Sequence, residues 1–285
     1  MRHIVPISGK DSLAAALVLR EEGVVTDAEY VWHDTGWELR EVHEWIRSVE
    51  SVIGPIHRCG DNLDDIVAEQ GLLPSPMKRF CTKYAKIKPM RDWLGKSPRF
   101  LYLGLRADEP SRINGLTPSK GETLRFPLQE RGLALADVWE LVSRYQLLPP
   151  QFIWPWMVNR VAELGGTRPV DMPDWEWNQL FAGRSRPNCD RCFFQRQYEW
   201  IWLHETHPDL FMAAVETERS TQAKSDFKLI GKDKPLESLL DRAGQIKEAR
   251  ARQILRILGD RGQRTLFDTD DDLLATVSCG LYCGK

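Results

Sequence analysis

The chain has 285 residues, 42% of them hydrophobic and 28% charged. That is globular composition, long enough to bury a sizeable core, and it excludes collagen, coiled coil or disorder as the whole answer. Thirty-nine basic residues against 41 acidic ones leave a net charge of −2, so no global basic field draws the chain to nucleic acid. No apolar run reaches about 18 residues, and a strand-like run follows the first two residues with no hydrophobic signal region. The expectation is a cytoplasmic protein with no membrane partner. In that setting the six cysteines point to thiols, a metal or catalysis rather than a disulfide framework. Three of the tryptophans' pairs sit two residues apart (Trp154/Trp156, Trp175/Trp177, Trp200/Trp202) and read as packing.

Strand and helix signals alternate through the first third. His3–Ile7 is a short β-branched run, and a small-residue turn at Ser8–Ser12 leads into a helix reaching about Glu22. Ala28–His33 reads as a second strand. Glu38–Val52 is a helix with Val42, Trp45, Ile46 and Val49 on one face. Pro55–Arg58 is a third strand, Asp61–Gln70 and Lys83–Leu94 are helical, and Arg99–Leu105 is a fourth, continuously apolar strand. This rhythm predicts a doubly wound, largely parallel α/β sheet over residues 1–150.

Beyond it, 107–127 reads as a long loop, Leu133–Tyr145 as a helix stopped by Pro149-Pro150, and 165–187 as irregular. Asp190–His204 and Pro208–Glu218 form a helical pair, Thr217–Lys234 is polar and exposed, and Leu236–Leu258 is an amphipathic helix. Residues 151–285 thus make a helical C-terminal region that ends in a cysteine-containing tail.

Three loops carry chemistry. Ser8-Gly9-Lys10-Asp11-Ser12 follows a strand and opens a helix. Small residues there let backbone amides approach an anion, and Lys10 can reach a phosphate. The same string also reads as a plain turn with an N-cap; neither GxxxxGK nor GxGxxG spacing is present. After the second strand, Asp34-Thr35-Gly36 supplies a carboxylate for a sugar hydroxyl or a metal-bound water, or simply caps the next helix. After the fourth strand, Gly104, Arg106 and Arg112 place two guanidinium groups where they bind oxyanions bidentately or lie solvated.

Together these loops resemble the adenine-nucleotide α-hydrolase (PP-loop ATP pyrophosphatase) superfamily. Ser8–Ser12 is similar to its SGGKDS loop, with Ile7-Ser8-Gly9 where the usual motif has Ser-Gly-Gly. His33–Glu38 resembles the DTG-x-E segment of phosphoadenosine-phosphosulfate (PAPS) reductases. Gly104–Arg112 resembles the G-x-R-x-x-E-S-x-x-R segment, with Pro110 inserted before Ser111. The resemblance spans roughly residues 3–215. It implies a Rossmann-like fold with ATP or PAPS held by Ser8, Gly9, Lys10, Asp11, Ser12, Asp34, Thr35, Gly36, Gly104, Arg106 and Arg112. Lys10 and Asp11 would be catalytic and Mg²⁺ would bridge the phosphates.

Among the cysteines, Cys81 sits in a basic run, which favours thiolate; Cys189 and Cys192 form a CxxC predicted at a helix start; Cys279 and Cys283 close the chain. Zinc and a 4Fe–4S cluster both need four such ligands. The C-x-x-x-x-K-I-x-P stretch at Cys81 and the segment Asn188–Phe211 resemble PAPS-reductase-like proteins and the DndC-type proteins of DNA phosphorothioation. That resemblance implies a 4Fe–4S cluster on Cys81, Cys189, Cys192 and Cys283, with Cys279 as a tail nucleophile; an inert tail is the other reading. Cys59 reads as a buried bystander.

The first functional expectation is an ATP pyrophosphatase that adenylates an acceptor for sulfur incorporation, served by a sulfur donor such as a cysteine desulfurase. DNA or tRNA would be an acceptor, touched by Lys78–Lys88 and Lys247–Arg261 if those runs are not merely solvated, and a homodimer is possible. The alternatives are a PAPS or APS reductase releasing sulfite, and a non-catalytic nucleotide-sensing subunit of a modification or defence complex.

Overall fold

The computed structural model describes residues 1–23, 25–150, 160, 163–164, 169–173, 189–221, 226–231 and 234–259, with only the backbone at 251 and 253–259. They fall into two compact units. One comprises Met1–Leu63 with Cys81–Pro150; the other comprises Asp64–Phe80 with described residues of Gln151–Thr276.

In the first unit the chain order is β1 (Arg2–Ile7), α1 (Lys10–Glu22), β2 (Ala28–His33), α2 (Arg40–Ile53) and β3 (Ile56–Cys59). Then come the start of α3 (Leu63–Gln70), a π-helix over Cys81–Ile87, α4 (Lys88–Leu94) and β4 (Arg99–Tyr102). A 3₁₀ turn at Pro110–Arg112, β5 (Glu122–Arg125), α5 (Pro127–Glu130) and α6 (Leu135–Arg144) complete it. All five strands pair parallel in the order β3-β2-β1-β4-β5. The alternation of β1 sends Ile4 to the face where Val31, Leu101 and, from α4, Met90 and Leu94 form a buried cluster. On α2 the buried residues Val42, Trp45, Ile46 and Val49 make the predicted stripe, and the Trp45 indole N–H donates to the Leu147 carbonyl at 2.8 Å.

Departures from the sequence reading have physical causes. The loop expected across 107–127 contains β5, a four-residue edge strand whose burial alternates between half-buried and exposed. It is too short and too polar to announce itself by hydrophobicity. Its register on β4 is locked by a buried pair, Arg99 and Glu122, at 2.7 Å. In the second unit, the CxxC does not open a helix. Residues 190–194 are turns, and α7 (Gln197–Thr206) starts only after Arg196.

Helix α7 packs on α8 (Pro208–Thr221) and on α9 (Ala243–Gly259), which follows a 3₁₀ segment at Leu236–Arg242. Trp200, Leu203, Phe211 and Leu236 are fully buried. Thr217–Lys234 is not uniformly exposed. The buried Glu218 carboxylate accepts from the Leu229 N–H at 2.8 Å and the Leu236 N–H at 2.9 Å, and Leu229 is buried. Two cations of the C-terminal helix are likewise engaged: Lys247 with Glu205, and Arg250 over the Tyr198 ring at 4.3 Å.

Two glycines set how the strand ends meet. At Gly60, with φ +147°, a Cβ would lie 1.9 Å from the Asp34 carbonyl oxygen. At Gly104 a Cβ would lie 2.5 Å from the Asp11 carbonyl and 2.6 Å from the Ser12 nitrogen. Backbone cannot yield there as a side chain would. Gly104→Ala is therefore expected to cost about 1–3 kcal/mol by urea unfolding, whereas Gly115→Ala, where nothing lies within 4 Å, stays within about 0.5 kcal/mol.

Candidate active site

Strand order reverses at β1: β2 and β3 lie to one side, β4 and β5 to the other. In open parallel sheets ligands bind beyond the carboxyl ends of the strands, at such a reversal. The two loops leaving that point are Ser8–Ser12, after β1, and the chain from Leu103 to Arg112, after β4. The close approach of Gly104 to Asp11 and Ser12 brings them together.

The first loop caps its own helix. The Ser12 hydroxyl accepts from the Ser8 N–H at 2.8 Å and the Gly9 N–H at 3.1 Å, and donates to the Gly9 carbonyl at 3.0 Å. The first helical bond is Leu13 N–H to the Gly9 carbonyl, so Lys10, Asp11 and Ser12 form the amino-terminal turn, where negative charge is favoured. Asp11 sits there, 3% exposed, and gathers two cations. The Lys10 ammonium lies 2.9 and 3.1 Å from its oxygens, and the Arg106 guanidinium 3.3 Å away. Lys10 also lies 5.7 Å from the Trp139 ring centre, a cation–π distance.

From Arg106 the network runs outward. Its Nε and Nη2 take the two oxygens of Asp108 at 2.9 and 3.2 Å, and Nη2 lies 3.5 Å from Glu109. Arg112 donates to both Glu109 oxygens at 2.9 Å. Burial alone would raise the Asp11 pKa, but Lys10 and Arg106 overcome it and hold the carboxyl below its ordinary range. Burial lowers the Lys10 ammonium by more than Asp11 restores. Burial likewise opposes the charge of Arg106, yet Asp11, Asp108 and Glu109 raise its pKa above the ordinary arginine value. Arg106 is thus a cation throughout the accessible pH range.

Beyond β2, the Asp34 N–H donates to the Cys59 carbonyl at 2.9 Å, and the Asp34 side chain accepts from the Gly36 N–H at 3.2 Å. Gly36 has φ +78°, a turn conformation that glycine adopts freely. The Thr35 N–H and hydroxyl both donate to Glu38, and burial raises the Glu38 pKa. His43 stands 3.7 Å from Asp34. His33, 5% exposed, ends β2 with no hydrogen-bond partner on Nε2 among the described residues. Burial, helped by the charge of Lys86, pushes its pKa down to about 3.

The thiols are less concentrated. Cys81 begins the π-helix of the first unit, a helix type frequent at functional sites. Cys59 is half-buried, its thiol pushed up to about 11 by burial. In the second unit Cys189 and Cys192 are half-buried cysteines, in no disulfide among the described residues, across a turn closed by Cys192 N–H to the Cys189 carbonyl at 3.2 Å. Cys279 and Cys283, like Trp154, Trp156, Trp175 and Trp177, lie outside the described residues. Among the described residues no group of three His, Cys, Asp or Glu is arranged around a metal position. The CxxC turn supplies two of the four thiolates a cluster needs. Of the other cysteines expected as ligands, Cys81 belongs to the first unit and Cys283 lies outside the described residues. Asp11 does not fit as a Mg²⁺ ligand while both its oxygens face cations.

Of the residues singled out by sequence, Lys10, Asp11, Ser12, Gly104 and Arg106 converge at the β1/β4 reversal. Asp34, Thr35 and Gly36 form a separate turn at the end of β2. Asp108, Glu109, Trp139 and Gly60 were not singled out. The charge alternation Arg106, Asp108, Glu109, Arg112 was the available signal for the first two; Trp139 and Gly60 meet the site only through tertiary packing. No protein-family model matches the chain, and no curated protein matches it.

His33 offers a pH test. Between its ordinary pKa of 6.5 and about 3 the unfolded chain binds a proton that the folded chain refuses. Stability therefore falls as pH falls through that window, by at most about 1.4 kcal/mol per pH unit. Urea unfolding from pH 7 to 4 should show a shallower loss in His33→Phe than in the parent; parallel losses would mean that His33 titrates normally.

Proposed function

We propose that the chain is an adenine-nucleotide enzyme that cleaves ATP between its α- and β-phosphorus, adenylating an acceptor that then receives sulfur. The observation that carries the nucleotide half is the meeting of the Ser8–Ser12 loop and Arg106 at the reversal of a five-stranded parallel sheet. A helix amino-terminus and a guanidinium beyond the same strand ends suit a polyphosphate better than any neutral ligand.

In this reading an acceptor oxygen attacks the α-phosphorus and pyrophosphate leaves with the electron pair of the broken P–O bond. Arg106 binds the oxyanion in its planar fork, while Asp11 holds that fork at the β1 loop. Lys10, tied to Asp11, adds positive charge beside the phosphates without being the fork itself. In the same reading Asp34, at the end of β2, accepts from a hydroxyl of the nucleotide. The sulfur half rests on the resemblance carried by Cys81, Cys189, Cys192, Cys279 and Cys283. The cysteines supply nucleophilic sulfur chemistry as thiolates.

The test is ATP turnover, read as pyrophosphate and AMP release with a persulfide donor and tRNA or DNA as acceptor. Turnover with pyrophosphate is expected from the parent. In Arg106→Lys, which keeps the charge and loses the fork, it should fall at least tenfold, about 1.4 kcal/mol, with a melting midpoint within a few degrees. Sulfite release from PAPS with no pyrophosphate would replace this reading by a reductase; nucleotide binding without turnover would leave a sensor.

A further inference from the structure

The Arg106 side chain is fully buried, and the Asp108 carboxylate lies against its Nε–Nη2 edge. Asp108 offers Oδ1 to Nε at 2.9 Å and Oδ2 to Nη2 at 3.2 Å. That is the two-point geometry in which a guanidinium takes a phosphate or sulfate. Among the described residues, three carboxylates around Arg106 differ in freedom. Asp11 is 3% exposed and shared with Lys10, and Glu109 is 7% exposed and gripped by Arg112 at both oxygens, whereas Asp108 is 40% exposed. Asp108 also sits on a turn that stands without its side chain. The Glu109 N–H donates to the Arg106 carbonyl at 3.1 Å, and the Ala107 N–H to the Leu133 carbonyl at 2.8 Å.

We propose that Asp108 is an internal competitor for the oxyanion of the ligand, occupying the Arg106 fork until a phosphoryl or sulfuryl group displaces it. The inference rests on the nucleotide-binding reading above and adds the residue that sets its selectivity. Among the described residues, three carboxylates face Lys10, Arg106 and Arg112. An anion that merely adds to this cluster brings its whole charge into a desolvated place, which is costly; one that exchanges with Asp108 brings one negative charge fewer. The displaced carboxylate moves into solvent at little cost because it is already part-exposed. Monovalent, poorly chelating anions would then lose to Asp108, and anions able to present two oxygens with greater charge would win. The site thereby discriminates a polyphosphate from chloride or acetate.

The experiment is calorimetric titration of the full chain with inorganic pyrophosphate, and separately with acetate, for the parent, Asp108→Ala and Asp108→Asn. The expected result is pyrophosphate affinity raised on the order of tenfold in Asp108→Ala, equivalent to about 1.4 kcal/mol. Acetate binding should become measurable in that variant alone, and Asp108→Asn should fall between the two. A gain in affinity is a change that structural damage does not produce, and Asp108→Asn keeps the side-chain shape should Asp108→Ala fold poorly. Pyrophosphate binding by the parent with equal or weaker binding by both variants overturns the competitor role and leaves the nucleotide reading standing. No pyrophosphate binding by parent or variants overturns both.

Discussion

The Asp11 carboxylate is the interaction on which the rest of the site depends. It belongs to the first turn of the helix after β1, yet it binds Arg106 from beyond β4, and so ties together two chain segments separated by 95 residues in sequence. Its own neighbour Lys10 supplies the second counter-ion. A carboxylate at 3% exposure with one cation would be a liability; with two it becomes a fixed anchor. Gly104 makes the anchor possible, since any side chain there would push Arg106's segment away from Asp11.

From that anchor the character of the site follows. Its cations are buried and neutralised rather than displayed, so it is not an open basic cleft. In the proposed exchange a ligand anion replaces the Asp108 carboxylate, the one of the three that reaches solvent most. A poised, pre-paired fork of this kind loses little reorganisation energy when the ligand arrives, because Arg106 is held in place by Asp11 and Glu109 on either side. The Asp34 turn, clamped to β3 through Cys59 and the bare Gly60, is equally rigid.

Much of this was legible in the residues. The apolar runs of β1, β2 and β4 and the striped face of α2 gave their elements close to the observed bounds, because hydrophobic periodicity reports burial directly. The Ser8–Ser12 turn and Arg106 stood out because residue type and position after a strand coincide. What escaped notice depends on distant parts of the chain. β5 exists through its register on β4 and the Arg99–Glu122 pair, not through its own composition. The CxxC was expected at a helix start, but Arg196 and Glu199 cap α7 later. Lys10 was read as able to reach a phosphate; its pairing with the adjacent Asp11 is an i to i+1 contact that no periodic pattern signals. The helix from Lys247 was read as a basic face, and its first two cations turn inward to Glu205 and Tyr198.

The most direct measurement is a crystal structure of the chain with ATP or a non-hydrolysable analogue bound. The account predicts phosphate oxygens within hydrogen-bonding distance of Arg106, between the carboxyl ends of β1 and β4, with Asp108 turned out of the fork. Phosphates bound at the amino ends of the strands, beside Arg2 and Pro98, or a nucleotide bound with the Arg106–Asp11 contact broken, would contradict it.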